Sequence, residues 1–289
     1  MIYGVIGGSN GLGNWFTEFL TRSDIEVFYL DLVKKSCSPA NSFISSNREL
    51  VERSDVVILA VPISKMCEVM SEIFSFLREK VLIEICSVKR FVVEHFLQLT
   101  ERFGYCPEFH SLHPMFGPSV TRIKGQTFSL CYSNQPNSVA LSSLKRLILS
   151  CKARWCEIDY ISHDKIMAIV QCLNHFNMFV SAKTVERSGF DFKLHKTLSS
   201  PTYRIFSVLF TRYVAADPKL YFEIQYYNQF SREAIEIFKS EVDLLFKIIQ
   251  SDDERMYIEY VEKMKPYFER DGDECALSQR LVEWIGEQQ

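Results

Sequence analysis

One histidine of the chain stands where it could act as a base. His113 follows Glu108 to Leu112, an apolar run of strand character, and precedes Pro114. Proline restricts the residue before it to extended backbone, so the imidazole would be held at the end of a strand. A neutral imidazole there could take a proton from a bound alcohol. It could instead only bond backbone carbonyls at the sheet edge, and a neighbouring cofactor favours the catalytic interpretation.

A glycine-rich segment near the N-terminus predicts that cofactor. Gly7-Gly8-Ser9-Asn10-Gly11-Leu12-Gly13 follows a predicted strand and opens a predicted helix, which is the context of a dinucleotide fingerprint. Glycine lets the backbone approach the pyrophosphate, and the helix N-terminus supplies N–H groups and positive potential. Asn10 replaces the middle glycine, although asparagine tolerates unusual backbone angles. The alternative is a tight strand-to-helix connection without a ligand. The predicted cofactor contacts here are Gly8, Asn10, Gly11, Leu12 and Gly13.

An acidic residue bears on which dinucleotide would bind. Asp31 ends the second predicted strand, about 20 residues beyond the turn, where a carboxylate would bond the adenosine ribose hydroxyls and repel a 2′-phosphate. The sequence therefore favours NAD over NADP. Lys34 and Lys35 follow closely and could soften that preference.

The ends of the next two predicted strands would lie at the same sheet edge. Val61 and Pro62 end the third strand, where backbone could line the cofactor, although alone the segment is simply a buried strand. Ser87 follows the fourth strand. It could cap the helix that begins near Lys89, lie near the nicotinamide and the reacting carbinol, or do both. A base beside a nicotinamide indicates oxidation of a carbinol by hydride removal.

The elements that must position these residues alternate in the first half of the chain. The predicted strands are Ile2–Ile6, Glu26–Leu30, Val56–Val61, Val81–Ile85, Glu108–Leu112 and Thr127–Leu130; the predicted helices are Leu12–Arg22, Arg48–Arg53, Lys65–Arg78 and Lys89–Phe103. Ser46 and Glu49 have the spacing of a capping box. This rhythm predicts an α/β, Rossmann-type, doubly wound parallel sheet over residues 1–158, with ligands at the carboxyl ends of its strands.

Residues 159–289 have helical periodicity and predict an all-α domain. One long helix carries two apolar stripes, Ile235, Phe238, Val242, Leu245 and Ile249 on one and Ile237, Leu244 and Ile248 on the other. Such a helix is either central to its domain or shared with a second subunit. Ser200-Pro201 and Asp217-Pro218 each predict a helix start.

Composition excludes several classes of function. The net charge is −3 and no cluster of five basic residues occurs, so a nucleic-acid partner is not expected. The longest apolar runs span about seven residues where a membrane helix needs about twenty. Nine single cysteines predict mostly buried thiols in a reducing compartment, and the chain starts without a leader, so the expected location is the cytoplasm. His110 and His113 would point to opposite faces of a strand, so no metal site is predicted.

Several segments together resemble the prephenate and arogenate dehydrogenases of tyrosine biosynthesis. They occur in the family's order along nearly the whole chain, most like the compact enzymes without a fused chorismate mutase, and no further domain is expected before Met1 or after Gln289. These segments are Gly7 to Gly13, Ser87-Val88-Lys89, Leu112 to Pro118, His163 to Gln171 with His175, Leu198 to Arg204 with Arg212, and Asp217 to Tyr221.

The resemblance implies a Rossmann domain followed by a helical dimerisation domain, with the active site in the cleft between them. It implies that prephenate is oxidised by NAD and decarboxylated to 4-hydroxyphenylpyruvate, with His113 accepting a hydrogen bond from the ring hydroxyl and Ser87 close to it. Arg212 would bind the ring carboxylate, and His163 and His175 would help form the pocket. On one straight helix those two histidines lie about 18 Å apart. Both can line one site only if the helix begins after His163 or one of them acts indirectly.

Other functions stay open at this point. Within the family, arogenate or an analogue with an amino group at the ring hydroxyl is an alternative substrate. From another class, a non-catalytic regulator would bind the dinucleotide without turnover. The joint presence of His113, Ser87 and Arg212 argues against the regulator. The expected assembly is a homodimer through the helical domain.

Overall fold

The computed structural model describes residues 1–32, 42–268 and 273–288. Lys34 and Lys35, which bear on the cofactor preference, lie outside these ranges. The chain forms two compact units. The first contains Met1–Met167 and Tyr226–Gln229, and the second contains Ala168–Gln225 and the described residues from Phe230 onward.

A seven-stranded sheet forms the first unit, in the spatial order β2-β1-β3-β4-β5-β6-β7. The strands are β1 (Tyr3–Ile6), β2 (Val27–Leu30), β3 (Val56–Leu59), β4 (Val81–Glu84), β5 (Glu108–Pro114), β6 (Thr127–Ser133) and β7 (Arg154–Glu157). The first five strands are parallel to one another, so the predicted Rossmann-type sheet is confirmed. The carboxyl ends of these five strands therefore share one edge.

The last two strands depart from the predicted parallel arrangement. β6 runs antiparallel to β5, and β7 runs parallel to β6. Residues 115–126 connect β5 to β6 without a helix, whereas a parallel crossover usually needs one. The prediction of a parallel sheet is wrong for this pair. β7 is largely exposed, so it lacks the apolar run by which a strand is recognised.

The helices of the first unit are α1 (Gly11–Thr21), α2 (Asn47–Arg53), α3 (Met66–Ile73), α4 (Arg90–Phe103), α5 (Val139–Ser150) and α6 (Tyr160–Met167). Short 3-10 turns flank α3 at Ile63–Lys65 and Phe74–Phe76. The predicted capping box is confirmed at its first bond, because the Glu49 N–H donates to Ser46 Oγ at 3.2 Å. The central strand β3 is apolar throughout because helices cover the sheet, and every residue of it is fully buried.

Every regular element in the described part of the second unit is a helix. It contains a π-helical segment (Ala168–Leu173), α7 (Asn174–Arg187), α8 (Phe192–Thr197), α9 (Pro201–Val214), α10 (Pro218–Tyr227, whose last two residues belong to the first unit), α11 (Ser231–Gln250), α12 (Glu254–Glu262), α13 (Lys265–Phe268) and α14 (Asp273–Gly286). Ser200 and Asp217 begin α9 and α10 as predicted, each accepting a backbone N–H with its side chain. The predicted all-α domain is confirmed.

The long helix α11 buries little of its apolar surface within the chain. Ser231, Ala234 and Ile248 are its buried residues, while Phe246 and Ile249 are 59% and 61% exposed. A helix central to its own domain would be covered on these sides. Neither α11 nor any other helix in the described ranges has the length and apolar character to cross a membrane.

The expectation of mostly buried cysteines is wrong for half of those described. Eight thiols are free; Cys86, Cys131 and Cys172 are buried and Cys67 is half-buried. The exposed ones are Cys106, Cys151, Cys156 and Cys275. They lie in a loop, at a helix end, on the exposed edge strand and on α14, where apolar neighbours in sequence do not imply burial.

Candidate active site

The glycine-rich turn brings α1 into direct contact with β1. Gly7 has a φ of +86°, which favours glycine. A Cβ on Gly13 would lie 2.0 Å from the Gly7 carbonyl oxygen, so only glycine permits this approach. A Cβ on Gly7 would lie 2.6 Å from the Ala60 carbonyl oxygen and 3.2 Å from the Val61 nitrogen. The turn therefore places the N-terminus of α1 beside the end of β3, where Val61 and Pro62 follow.

The residues of this turn fit a dinucleotide. Asn10 is the N-cap of α1 and makes no side-chain cap hydrogen bond, so the first N–H groups of the helix keep their capacity to bind an anion. A Cβ on Gly11 would meet nothing within 4 Å, and Leu12 is half-buried behind it. Asp31 accepts the Ser9 N–H at 2.9 Å, which holds a carboxylate at the turn. The buried Ser9 hydroxyl has no hydrogen-bond partner among the described residues.

His113 is buried near the end of β5. It is the last strand residue before Pro114 and is 2% exposed. Its Nδ1 lies 2.9 Å from His163 Nε2, and the two rings cross at 70°. Burial holds the pKa of His113 well below its usual value of 6.5, and the nearby His163 and Lys89 lower it further. The ring is therefore neutral at pH 7 and able to accept a proton.

Asp164 stands behind this histidine pair and also caps a helix. His163 Nδ1 lies 2.9 Å from Asp164 Oδ1. The carboxylate also accepts the Lys89 N–H at 3.0 Å and the Arg90 N–H at 2.9 Å, which are the first N–H groups of α4. The prediction that Ser87 caps this helix is wrong, because Lys89 is the N-cap residue and a carboxylate from α6 satisfies the helix end. Ser87 lies half-buried between β4 and α4.

A buried ion pair supports the backbone on which His113 lies. Lys89 and Glu84 are fully buried, with Nζ 2.8 Å from Oε1. Lys89 Nζ also donates to the Leu112 carbonyl oxygen at 2.6 Å, and Ser111 Oγ donates to Glu84. The lysine thus connects β4, the start of α4 and the residue before His113. Glu84 and Ser111 were not predicted as site residues, although a carboxylate in the otherwise apolar strand β4 was a signal for Glu84.

Arg212 and His175 lie in an aromatic cluster of the second unit. His175 is 6% exposed, and its ring packs edge-on against Tyr221 at 4.6 Å and lies 5.2 Å from Tyr213. Burial lowers the pKa of His175 to about 4. Burial and the neighbouring Tyr213 raise the pKa of Tyr221, and the charge of Arg212, an exposed residue next to Tyr213 on α9, acts in the opposite direction. The structure thus groups these two predicted substrate ligands with two tyrosines that the sequence analysis did not assign.

The helix that carries both His163 and His175 begins before either of them. Helical residues run without a break from Tyr160 through the π-helical segment to Arg187. The suggestion that the helix begins after His163 is therefore wrong. His163 contacts His113 in the first unit, and His175 contacts the tyrosine cluster in the second.

Comparison with known proteins gives consistent matches over both units. Residues 35–157 match the family model "Prephenate dehydrogenase, nucleotide-binding domain", and residues 161–265 match "Prephenate dehydrogenase, dimerization domain". A probable arogenate/prephenate dehydrogenase of Methanocaldococcus jannaschii is 28% identical over 91% of the chain and 60% of its own length. The T-protein of Haemophilus influenzae is 25% identical over 91% of the chain and 66% of its own length.

These figures mean that the chain spans 60 to 66% of the length of the two curated relatives. Among solved structures, a prephenate dehydrogenase of Aquifex aeolicus in complex with hydroxyphenyl propionate and NAD+ superposes with a TM-score of 0.72. It is 20% identical and covers 94% of this chain and 98% of its own. At that identity the likeness establishes the fold.

Proposed function

Because the chain belongs to the family of prephenate and arogenate dehydrogenases, we propose that it oxidises and decarboxylates prephenate to 4-hydroxyphenylpyruvate with NAD. The observation that carries this proposal is His113, buried at the end of β5 with its Nδ1 2.9 Å from His163 Nε2; its lowered pKa leaves the ring neutral at pH 7. A base of this kind contributes about 10²- to 10⁴-fold to a rate. It is also the group that removal of a carbinol proton requires.

In this proposal the residues of the site have separate roles in substrate binding and proton transfer. His113 takes the proton of the ring hydroxyl, and Ser87 lies near the same hydroxyl. Arg212 binds the ring carboxylate, since a guanidinium offers a planar two-point contact to a carboxylate. His175 lines the pocket beside it. Loss of the ring carboxylate as CO₂ makes the product aromatic, so the reaction is effectively irreversible and the protein chiefly aligns the reactants and excludes water.

Residues of the glycine-rich turn would hold the cofactor. The N–H groups at the start of α1, with Gly8, Asn10, Gly11, Leu12 and Gly13, would contact the pyrophosphate, and Val61 and Pro62 would line the site. Asp31, held at the turn by the Ser9 N–H, would bond the adenosine ribose and disfavour a 2′-phosphate. Bound NAD supplies a nicotinamide ring that accepts the hydride.

Arogenate is the second candidate substrate. The Methanocaldococcus jannaschii relative carries both names, and the two substrates differ by an amine in place of a keto group at a point remote from the reacting carbinol. Steady-state kcat/KM for prephenate and arogenate, each with NAD and NADP, discriminates among the four combinations. We expect prephenate with NAD to be fastest. Faster turnover of arogenate would overturn the substrate assignment, and dinucleotide binding without any turnover would identify a regulator.

The proposed assembly is a homodimer through the second unit. Residues 161–265 match a dimerisation domain, and α11 exposes Ile237, Val242 and Phe246. A second copy of the chain would remove these side chains from water.

A further inference from the structure

Asp164 and His163 form a chain of hydrogen bonds that ends on the proposed base. We infer that they are positioning residues which fix His113 as the tautomer with its proton on Nδ1 and its lone pair on Nε2. This inference rests on the proposed function for its catalytic consequence, and on geometry alone for the tautomer. The resemblance implied a pocket-lining role for His163, whereas its contacts in the structure are with His113 and Asp164.

The direction of each hydrogen bond follows from the carboxylate at one end. An ionised carboxylate only accepts hydrogen bonds, and Asp164 is already surrounded by the N–H groups of Lys89 and Arg90. His163 Nδ1 must therefore carry the proton at its 2.9 Å contact with Asp164. In a neutral ring the other nitrogen, Nε2, is then an acceptor. It accepts the Nδ1 proton of His113 at 2.9 Å.

The secondary-structure elements around Asp164, His163 and His113 hold these hydrogen-bonded side chains in one position. Asp164 is fully buried, and its backbone carbonyl accepts a hydrogen bond from Asn228 Nδ2 at 2.8 Å. Lys89 Nζ holds the carbonyl of Leu112, the residue before His113. His163 from α6 and Lys89 from the N-cap of α4 are charged or titratable groups that act on His113. Both lower the pKa of His113, as burial does.

The tautomer decides which nitrogen can act as the base. With the proton on Nδ1, His113 can form a new N–H bond at Nε2 as the O–H bond of the carbinol breaks. Bound NAD would supply the hydride acceptor, so the hydrogen bonds among His113, His163 and Asp164 would carry no electrons. The resulting imidazolium keeps its Nδ1–H bond to His163, with the Asp164 carboxylate behind it. With the proton on Nε2 instead, the same ring would present a donor where an acceptor is needed.

Asp164→Asn tests this inference, because it should reverse the direction of the two hydrogen bonds that join His113, His163 and Asp164. The amide oxygen can still accept the Lys89 and Arg90 N–H groups, so the amide NH₂ faces His163 Nδ1. His163 would then carry its proton on Nε2 and donate to His113 Nδ1, which moves the His113 proton to Nε2. We expect kcat to fall by about 100-fold or more, with KM within about threefold, because a base held in the wrong tautomer can lose up to about 10⁴-fold.

Nitrogen-15 NMR of histidine-labelled protein reads the tautomer directly and does not depend on turnover. The chain has six histidines, and the His113 signals are those absent from His113→Asn. We expect the Nδ1–H form in the wild type and the Nε2–H form in Asp164→Asn. A merely structural role for Asp164 would not move the proton from one nitrogen to the other.

Two further variants keep the inference testable if Asp164→Asn does not fold. His163→Gln retains an amide oxygen that can accept the His113 Nδ1 proton, whereas His163→Leu retains none. We expect the glutamine variant to keep at least ten times the kcat of the leucine variant. Asn228→Ala is the control, because it removes the bond to the Asp164 backbone and leaves the carboxylate in place. It should lower stability without changing the tautomer.

The outcomes separate this inference from the proposed function. A wild-type His113 with its proton on Nε2 would overturn the inference, as would equal kcat for His163→Gln and His163→Leu, or an Asp164→Asn protein with unchanged tautomer and kcat. If the wild type turns over neither prephenate nor arogenate, the proposed function fails. The NMR comparison then still decides whether Asp164 and His163 set the tautomer.

Discussion

The proposed reaction depends first on a histidine that stays neutral and buried. Removal of its imidazole should act on the rate of the reaction and not on substrate binding. We expect His113→Asn to lower kcat by about 10²- to 10⁴-fold with little change in KM. In the wild type, the lowered pKa of His113 should leave kcat level from pH 8 to 6.5, with a decline only well below 6.5. Steady-state kinetics between pH 5 and 8 test both expectations.

A matched control lies three residues earlier on the same strand. His110 is equally buried and bonds Glu108 and Ser133, so His110→Asn should lower stability and leave kcat near that of the wild type. Near-normal turnover by His113→Asn would remove this residue from the mechanism.

Arg212 should act on binding instead. We expect Arg212→Ala to raise KM for prephenate about 10- to 100-fold, because a charge-assisted hydrogen-bonded pair with a carboxylate is lost. Arg212→Lys keeps the charge without the planar fork, so its KM should be intermediate. Arg187→Ala, an exposed arginine at the end of α7, is the control. An unchanged KM in Arg212→Ala, measured beside a normal thermal transition, would contradict the assignment.

At the scale of elements, one buried ion pair joins β4, α4 and β5. Lys89→Met leaves Glu84 as an uncompensated charge in a fully buried site. We expect the free energy of unfolding to fall by about 3 to 5 kcal/mol. The double variant Glu84→Gln/Lys89→Met should recover part of this loss, because no charge then remains buried. Urea unfolding at pH 7 measures the free energy of unfolding of the wild type, the single variant and the double variant.

A surface pair provides the comparison for that prediction. Lys183 and Glu186 lie 2.6 Å apart with side chains 67% and 65% exposed, and such pairs contribute about 0 to 1 kcal/mol. Lys183→Met should therefore change stability by less than about 1 kcal/mol. A similar small change in Lys89→Met would show that the buried pair does not stabilise the junction of these three elements.

The elements that sequence could predict are those whose causes are local. β1 to β4 are short, largely apolar runs, and the turn between β1 and α1 requires glycine at positions 7 and 13. Those features, together with His113 before Pro114, located the sheet edge and the proposed base. The reversal of β6 and the exposed edge strand β7 depend on how strands pair. The composition of β6 or β7 does not determine the direction in which it pairs with its neighbour.

The supporting contacts of the site could not be predicted for the same reason. Asp164 caps α4 from 75 positions along the chain, so a search for a cap beside the helix selected Ser87 instead. His163 lies 50 positions from His113, and only the fold shows that they touch. Tyr213 and Tyr221 surround His175 through packing of α7, α9 and α10. Each of these contacts is set by tertiary structure and leaves no local pattern.

At the scale of the whole molecule, buried histidines should make stability depend on pH. The pKa values of His95, His110, His113 and His175 are all lowered in the folded chain, chiefly by burial. Below about pH 6.5 the unfolded chain binds protons at these sites that the folded chain does not, so the free energy of unfolding should fall as pH falls.

His175 offers a direct measure of that effect. Because the pKa of His175 is about 4, this residue should lower the free energy of unfolding by up to about 2 kcal/mol between pH 7 and pH 5. His175→Phe should abolish that part of the decrease. Phenylalanine suits the site because the ring already packs against Tyr213 and Tyr221. Urea unfolding at the two pH values provides the test, and equal losses in wild type and variant would show that this histidine is not the source.

The exposed face of α11 leads to the last prediction, which concerns assembly. Val242, Phe246 and Ile249 recur at steps of four and three, and they are 50%, 59% and 61% exposed. An exposed apolar stripe of this kind favours association, and in a homodimer it would face a second copy. Phe246→Glu would place a charge in the middle of the stripe. We expect it to convert the dimer to a monomer in sedimentation velocity at micromolar concentration.

Lys247→Glu changes the neighbouring side chain, which lies roughly 100° further around the helix, and should leave the dimer intact. A wild-type chain that sediments as a monomer, or a Phe246→Glu chain that stays dimeric, would exclude this face as the contact.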